Sequence, residues 1–483
     1  MHEMETTLPV GKSVDGGSLR HRYSARNVPY EWQETPILAR QRQRESNARS
    51  YPRRIPLTLR RAKGVYVEDT EGRVFIDCLA AAGTLALGHN HPVVTEALRR
   101  ALDNELPFQT LDIMTPVKDE FVSQLFSMLP ERFARHARIQ FCGPTGTDAV
   151  EAALKLVRTA TGRKGMFAFH GAYHGMSQGS LALMGNLGPK RPLDGLLSHA
   201  QFMPYPYAYR CPFRLGAEAG EAAGLAFIEN ALSDPESGVL APAGIILEPV
   251  QGEAGVIPAP RAWLRKLREI ATRAQVPLIL DEVQTGFGRT GRFFDFEHAD
   301  IVPDVLVLSK AVGGGLPLSV VVYHESLDVW QAGAHAGTFR GNQLAMAAGL
   351  ATMRYIQRER LDLHAEAMGR RLCGHLEELQ KECALVGDVR GRGLMIGLEI
   401  VAPGTASTLA GEAPPDRDAA LAIQQGCLRR GLIVELGGRM GATVRLLPPL
   451  VISPDEVDTV AEIVRAATLE AMRRASSRSA ASA

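Results

Sequence analysis

Between residues 100 and 345 of the 483-residue chain, short apolar runs alternate with longer stretches whose apolar residues recur at helical spacing. The runs are "RIQFCG", "GMFAFHG", "AGIILEPV", "VPLILDEV" and "DVLVLSK". They are apolar at consecutive positions rather than alternate ones, the pattern of strands covered on both faces in a parallel sheet. "DAVEAALKLVRTA" and "RAWLRKLREIATRA" read as amphipathic helices between them. Earlier, "GVYVEDTEGRVFIDCLA" alternates apolar and polar residues around Glu71-Gly72 and predicts a hairpin. After 345, two helical stretches precede "GRGLMIGLEIV", "GLIVEL" and "TVRLLPPLVIS", which reads as a smaller α+β unit. The expected organisation is a flexible N-terminal tail or arm over 1–45 and the first part of a small domain over 46–100. A large α/β domain then covers 101–345, the rest of the small domain 346–473, and a low-complexity, disordered tail 474–483.

Composition changes this picture little. Apolar residues make up 45% of the chain and charged residues 22%, as in ordinary globular proteins. The net charge of +1 offers no field for nucleic acid or an anionic membrane, so neither is expected as a partner. The six cysteines form no CxxC pair, which points to a reduced, cytoplasmic protein without a zinc cluster. Met1 to Ser24 lacks the apolar core of a secretory signal, and no window approaches a membrane span. "GHNHP" carries His89 and His91 but no Cys or carboxylate cluster beside them, so it reads as a turn rather than a metal site.

The strand ends carry the chemistry. In open α/β sheets ligands sit at the carboxyl ends of strands, and three successive ends here bear Glu248, Asp281 and Lys310. A lysine ending an apolar run is costly unless it is neutral, paired or covalently used. Gly313-Gly314-Gly315 follows it and is expected to leave room for a large group. A desolvated lysine in such a place can attack a carbonyl. Asp281, after three apolar residues, calls for a permanent cation such as a protonated pyridine nitrogen. "FCGPTGTDAVEAALKL" leads a strand through a glycine turn into a helix, whose free N–H groups suit a phosphate. No G-x-x-x-x-G-K-[ST] loop occurs, which weakens a nucleotide-hydrolase reading of Asp281.

These features together describe one ligand with a phosphate, a basic ring nitrogen and an aldehyde. Over roughly 45–470 the chain resembles the class III (ω-amino-acid) aminotransferases, fold type I enzymes dependent on pyridoxal 5'-phosphate. "LEPVQGEAGV", "DEVQTGFGRTG", "LSKAVGGGLP" and "HAGTFRGNQLA" stand in that family's order and spacing. The resemblance implies that Lys310 bonds the cofactor aldehyde and later carries the substrate proton, while Asp281 keeps the pyridine nitrogen charged. It implies Gln284 on the ring hydroxyl, Val283 and Tyr173 on the two ring faces, and Glu248 in the surrounding shell. Thr145, Gly146 and Thr147 would cradle the phosphate, joined by Thr338 from a neighbouring subunit. A homodimer with shared sites is therefore expected, with a tetramer as an extension. Arg445 would grip the carboxylate beside the reacting carbon of 2-oxoglutarate, and Glu253 would shield it when an ω-amine donor is bound.

A second layer of words, including "RESNARSYPRRIPL", "LDIMTP" and "PYPYAYRCPF", is similar to the diaminobutyrate–2-oxoglutarate transaminases. This implies transfer of the 4-amino group of L-2,4-diaminobutyrate to 2-oxoglutarate, giving L-aspartate 4-semialdehyde and L-glutamate. Run in reverse, the reaction supplies diaminobutyrate for siderophores, ectoine or diaminopropane. Ornithine-type enzymes carry an arginine shortly after the stacking aromatic, whereas "YHGM" places Met176 there. Other groups must then read the far end of the donor, and Asp112 is the expected partner of its α-ammonium. Alternatives are another ω-amino-acid transaminase, acting on ornithine or 4-aminobutyrate, a same-fold aminomutase or racemase, and a non-catalytic cofactor-binding module.

Overall fold

The computed structural model describes residues 18–24, 30, 34–193, 199–405, 410–411 and 413–482. Most of the segment expected as a tail before residue 34 lies outside these. Its described parts include helices at Leu19–Ser24 and Pro36–Arg44.

Seven strands build the central sheet: β1 (Ala137–Phe141), β2 (Met166–Phe169), β3 (Ala200–Met203), β4 (Gly244–Leu247), β5 (Leu278–Asp281), β6 (Val305–Leu308) and β7 (Val320–His324). Their spatial order is β1-β7-β6-β5-β4-β2-β3. Pairing is parallel from β6 across to β3, and β7 runs antiparallel to both its neighbours. The five apolar runs of the sequence are β1, β2, β4, β5 and β6. Consecutive apolar residues are needed because alternate side chains enter two different cores. Ile246, Ile279 and Val307 pack with Val150 and Val157 of helix α1 (Gly146–Thr161). Leu247, Leu280 and Leu306 pack on the other face with Trp263, Leu264 and Leu267 of the helix Arg261–Arg273.

The expected hairpin forms from Tyr66–Asp69 and Val74–Asp77. Its second strand pairs in parallel with Leu432–Ile433, tying the N-terminal segment to the C-terminal one. Beside it, Val386–Arg392, Met395–Ile400, Thr443–Leu446 and Glu435–Gly437 form an antiparallel sheet in that order. The last helix spans Pro454–Ser482 and so runs through the segment expected as a disordered tail from 474. Alanine-rich sequence has high helix propensity, and continuing an existing helix avoids the cost of nucleation. No helix of the described residues is long and apolar enough to cross a membrane.

The middle glycine of the triplet after Lys310 has a different cause from the one expected. A Cβ on Gly314, whose φ is +60°, would fall 2.5 Å from the Ala348 carbonyl oxygen. What approaches there is the helix Gln343–Arg358, not a ligand.

Candidate active site

Three neighbouring parallel strands deliver the three ionisable groups to one end of the sheet. Glu248 follows β4, Asp281 ends β5, and Lys310 follows β6 by two residues. Lys310 has φ +51°, the left-handed region that a non-glycine residue avoids. A strained backbone at the sheet end turns its side chain sharply out of strand direction, as at many functional positions. Burial lowers the Lys310 ammonium below its ordinary pKa; Glu253 opposes that shift and Arg445 reinforces it.

Asp281 is buried, with Oδ1 accepting from the Val283 N–H at 3.1 Å and Oδ2 lying 2.7 Å from His174 Nδ1. Burial alone would pull His174 down, but its hydrogen bond to Asp281 and the charges of Asp281 and Glu248 together outweigh this, and the net shift is upward. The other ring nitrogen, Nε2, is buried without a hydrogen-bond partner. His174, to which no motif of the sequence assigned a role, orients the aspartate. Glu248 accepts from the Tyr173 N–H at 2.9 Å and the Gly252 N–H at 3.0 Å. It thereby fixes both the tyrosine loop and the loop bearing Glu253. Burial pushes its carboxyl up to about 7. Gln284 Nε2 donates to the Ala82 carbonyl at 3.0 Å.

The turn before α1 is shaped for close approach. A Cβ on Gly146 would sit 3.1 and 3.2 Å from the two methyls of Val283, so both residues face one space. Thr145 donates through both its N–H and its hydroxyl to Asp148, at 2.9 and 2.8 Å. The Thr147 hydroxyl is 2.6 Å from each of Ser177 Oγ and Ser180 Oγ, partners that no sequence motif had singled out. The first N–H groups of the helix have no carbonyl one turn back to bond, and they carry its positive dipole end.

Arg445 lies in the strand Thr443–Leu446 with no exposed surface. Its Nη1 is 2.7 Å from Glu253 Oε1 and its Nη2 is 3.6 Å from Glu435 Oε2. Even so, Nε, Nη1 and Nη2 complete no hydrogen bond of good geometry. A buried guanidinium with unsatisfied donors is an open receptor for a carboxylate. Burial pushes the Glu253 carboxyl up, but Arg445, with Lys310 and Arg54, outweighs it and the group stays below its ordinary value. Glu253, Tyr173 and Met176 line one cavity of about 1260 Å³.

Two expected site residues are not joined to this cluster. Asp112 lies exposed on the loop before Thr115, its recorded contact being a Lys118 Nζ donation to its carbonyl at 3.1 Å. Thr338 is exposed on the loop before helix Gln343–Arg358.

The family pattern "Aminotransferase class-III" matches residues 48–468. The chain belongs to the class III aminotransferases. It is 56% identical to the diaminobutyrate–2-oxoglutarate aminotransferase of Rhizobium meliloti (strain 1021), over 89% of this chain and 92% of that one. It is 47% identical to the protein of the same name from Haemophilus influenzae, over 90% and 96% of the two chains. An amine transaminase from an uncultivated Pseudomonas species, solved in its PLP-bound form, superposes with TM-score 0.78 at 30% identity, covering 89% and 97%. A thermostable ω-transaminase from Thermomicrobium roseum gives TM-score 0.79 at 26% identity, covering 92% and 100%.

The class III aminotransferase is an enzyme of fold type I whose cofactor is pyridoxal 5'-phosphate. The residues fit that group. Side-chain-free Gly146 opposite Val283 leaves a slot, the α1 start would supply phosphate donors, and the buried Asp281 carboxylate lacks a permanent cation.

Proposed function

We propose that this aminotransferase moves the 4-amino group of L-2,4-diaminobutyrate to 2-oxoglutarate, reversibly, giving L-aspartate 4-semialdehyde and L-glutamate. The observation that carries exchange between two substrates is Arg445, a buried guanidinium with unused donors beside a carboxylate that can swing away. The two relatives named above support diaminobutyrate as the donor. When bound, the cofactor supplies an aldehyde and an electron-accepting ring. Lys310, its amine lowered by burial, is available neutral to bond that aldehyde and to hold the proton taken from the substrate carbon. Asp281, oriented by His174, holds the ring nitrogen charged. Tyr173 and Val283 would hold the ring between them, Gln284 would bond its hydroxyl, and Thr145, Gly146 and Thr147 would receive the phosphate. With the donor bound, Glu253 neutralises Arg445; with glutamate, the substrate α-carboxylate takes its place.

The working unit in this reading is a homodimer in a reducing, cytoplasmic setting. Phe108, Leu111, Ile113, Met114 and Phe339 are each more than half exposed. Gln343 joins their two loops, its N–H donating to the Phe108 carbonyl and its amide bonding Thr110 and Thr115. That apolar face carries Thr338 and Asp112, which would reach the neighbouring subunit's phosphate and donor. The six cysteines are free.

The test is a donor panel with 2-oxoglutarate, measuring glutamate formed from diaminobutyrate, ornithine, lysine, 4-aminobutyrate and β-alanine. Diaminobutyrate is expected to lead with stoichiometric glutamate. Equal or better turnover of 4-aminobutyrate would overturn the donor assignment, and no consumption of 2-oxoglutarate would favour an aminomutase. For Asp112, an unchanged diaminobutyrate KM in Asp112→Ala would remove it from the site.

A further inference from the structure

Met176 leaves the far wall of the cavity without the arginine that ornithine-type enzymes place there, yet another arginine enters from a different element. Arg439 sits on a tight turn in which Gly438 and Met440 have φ +76° and +59°. The Gly438 N–H donates to the Glu253 carbonyl at 2.8 Å, so this turn is tied to the loop that holds the gate. Arg439 lines the same cavity as Tyr173, Met176 and Glu253. Its guanidinium stands 5.9 Å from the centroid of the Tyr207 ring. A Cβ on Gly171, two residues before the stacking tyrosine, would come within 2.9 Å of its Nη1.

The pairing of this arginine is what sets it apart. Its neighbours Arg390 and Arg210 are bound to Glu399 at 2.7 and 2.5 Å. Among the described residues, no carboxylate lies within 4.0 Å of Arg439, and its side chain makes no hydrogen bond. Arg53, Arg54 and Arg417 also reach the cavity but are exposed, and Arg49 already donates to the Gln41 carbonyl at 2.7 Å and pairs with Glu45 at 3.6 Å, whereas Arg439 is half-buried. Lys190 already donates to the Ala182 and Met184 carbonyls. A half-buried guanidinium without an ion pair is suited to receive a carboxylate in this wall.

Substrate chemistry gives it a task. In diaminobutyrate, three carbon–carbon bonds separate the reacting C4 from the carboxylate carbon. In glutamate, three separate the reacting C2 from the side-chain carboxylate carbon. One fixed cation therefore suits the far carboxylate of both, whereas ornithine, one bond longer, overshoots it. We propose that Arg439 is the specificity-determining residue that binds the distal carboxylate of both donor and acceptor, leaving Arg445 to distinguish them. This rests on the transaminase reading above.

The experiment compares wild type, Arg439→Gln and Arg439→Lys as holoenzymes in single-turnover half-reactions with diaminobutyrate, L-glutamate and L-alanine. Alanine needs Arg445 but has no distal carboxylate. Affinity for glutarate, a dicarboxylate that cannot react, is measured by calorimetry. Arg439→Gln should lower kcat/KM for diaminobutyrate and glutamate about ten- to hundredfold, mainly through KM, and weaken glutarate similarly. Alanine turnover and the near-visible cofactor band should stay as in wild type, and Arg439→Lys should recover part of the loss. Unchanged glutarate affinity, or an equal loss with alanine, overturns the proposal. If wild type uses glutamate but not diaminobutyrate, the donor assignment fails while glutamate and glutarate still decide Arg439.

Discussion

Replacing Glu253 by Gln tests whether the Arg445 pair works as a gate or only as a structural ion pair. At 2.7 Å and an effective dielectric of about 20, the gross attraction between the charges is about 6 kcal/mol. Desolvation offsets most of it, and Glu253 keeps 38% of its side chain exposed, so screening reduces the remainder. Glu435, at 3.6 Å, stays as a second countercharge, although burial raises its carboxyl and makes it a weaker one. The net stability loss should be about 2 kcal/mol, below the 3–5 kcal/mol typical of a fully buried pair broken on one side. Thermal unfolding of the apo-protein reads this as a fall of about 2 °C, because the unfolding entropy scales with the length of the chain. The catalytic consequence is asymmetric. An ω-amine donor now meets an unshielded Arg445, while glutamate brings its own carboxylate to it. Stopped-flow half-reactions should show kcat/KM for diaminobutyrate falling by about tenfold or more, since about 1.4 kcal/mol of uncompensated charge is enough. The glutamate half-reaction should stay near wild type or improve. A parallel fall in both half-reactions would refute the gate and leave a structural ion pair.

Asp281→Asn should still bind the cofactor through Lys310 but lose about a hundredfold or more in turnover, since the ring nitrogen no longer faces a carboxylate; the cofactor band and kcat read the two effects separately. Glu248 gives a pH signature: its folded carboxyl is raised from 4.5 to about 7, so the folded state holds the extra proton between those values. Its stabilising contribution is full below 4.5 and is lost as pH rises through 7, about 3 kcal/mol in all, and Glu248→Gln should flatten the apo-protein Tm over that window. The homodimer reading predicts that Thr338→Ala weakens cofactor retention during dialysis without altering Lys310 chemistry. It also predicts that charges placed at Ile113 and Phe339 yield inactive monomers in analytical ultracentrifugation.

What could be read in the sequence divides along the range of the interactions involved. The sheet was legible because each buried strand must be apolar along its length, a local rule that β4 and β6 obey in full and β5 obeys up to Asp281. Lys310, Asp281 and Glu248 were legible because a charged residue ending such a run breaks that rule, and the break needs a cause. Strand β7 was missed: it lies in the same apolar stretch as the Lys310 turn, whose glycines drew the reading toward a ligand. Gly314 instead answers to Ala348, more than thirty residues away. Arg439 was hidden by the same limit. In "ELGGRMG" it looks like any loop arginine, and nothing local says that Arg390 and Arg210 have taken Glu399 and left it unpaired. An unpaired charge is defined by all the countercharges that fold around it, so it is a property of the tertiary structure. His174 stands between these cases, since its word "YHG" marked the place and only its 2.7 Å contact with Asp281 gave it the task of orienting the acid. The chemistry at the cofactor is thus written mostly in strand-end residues. Recognition of the substrate's far end depends on which arginines the smaller sheet and its turns leave without a partner.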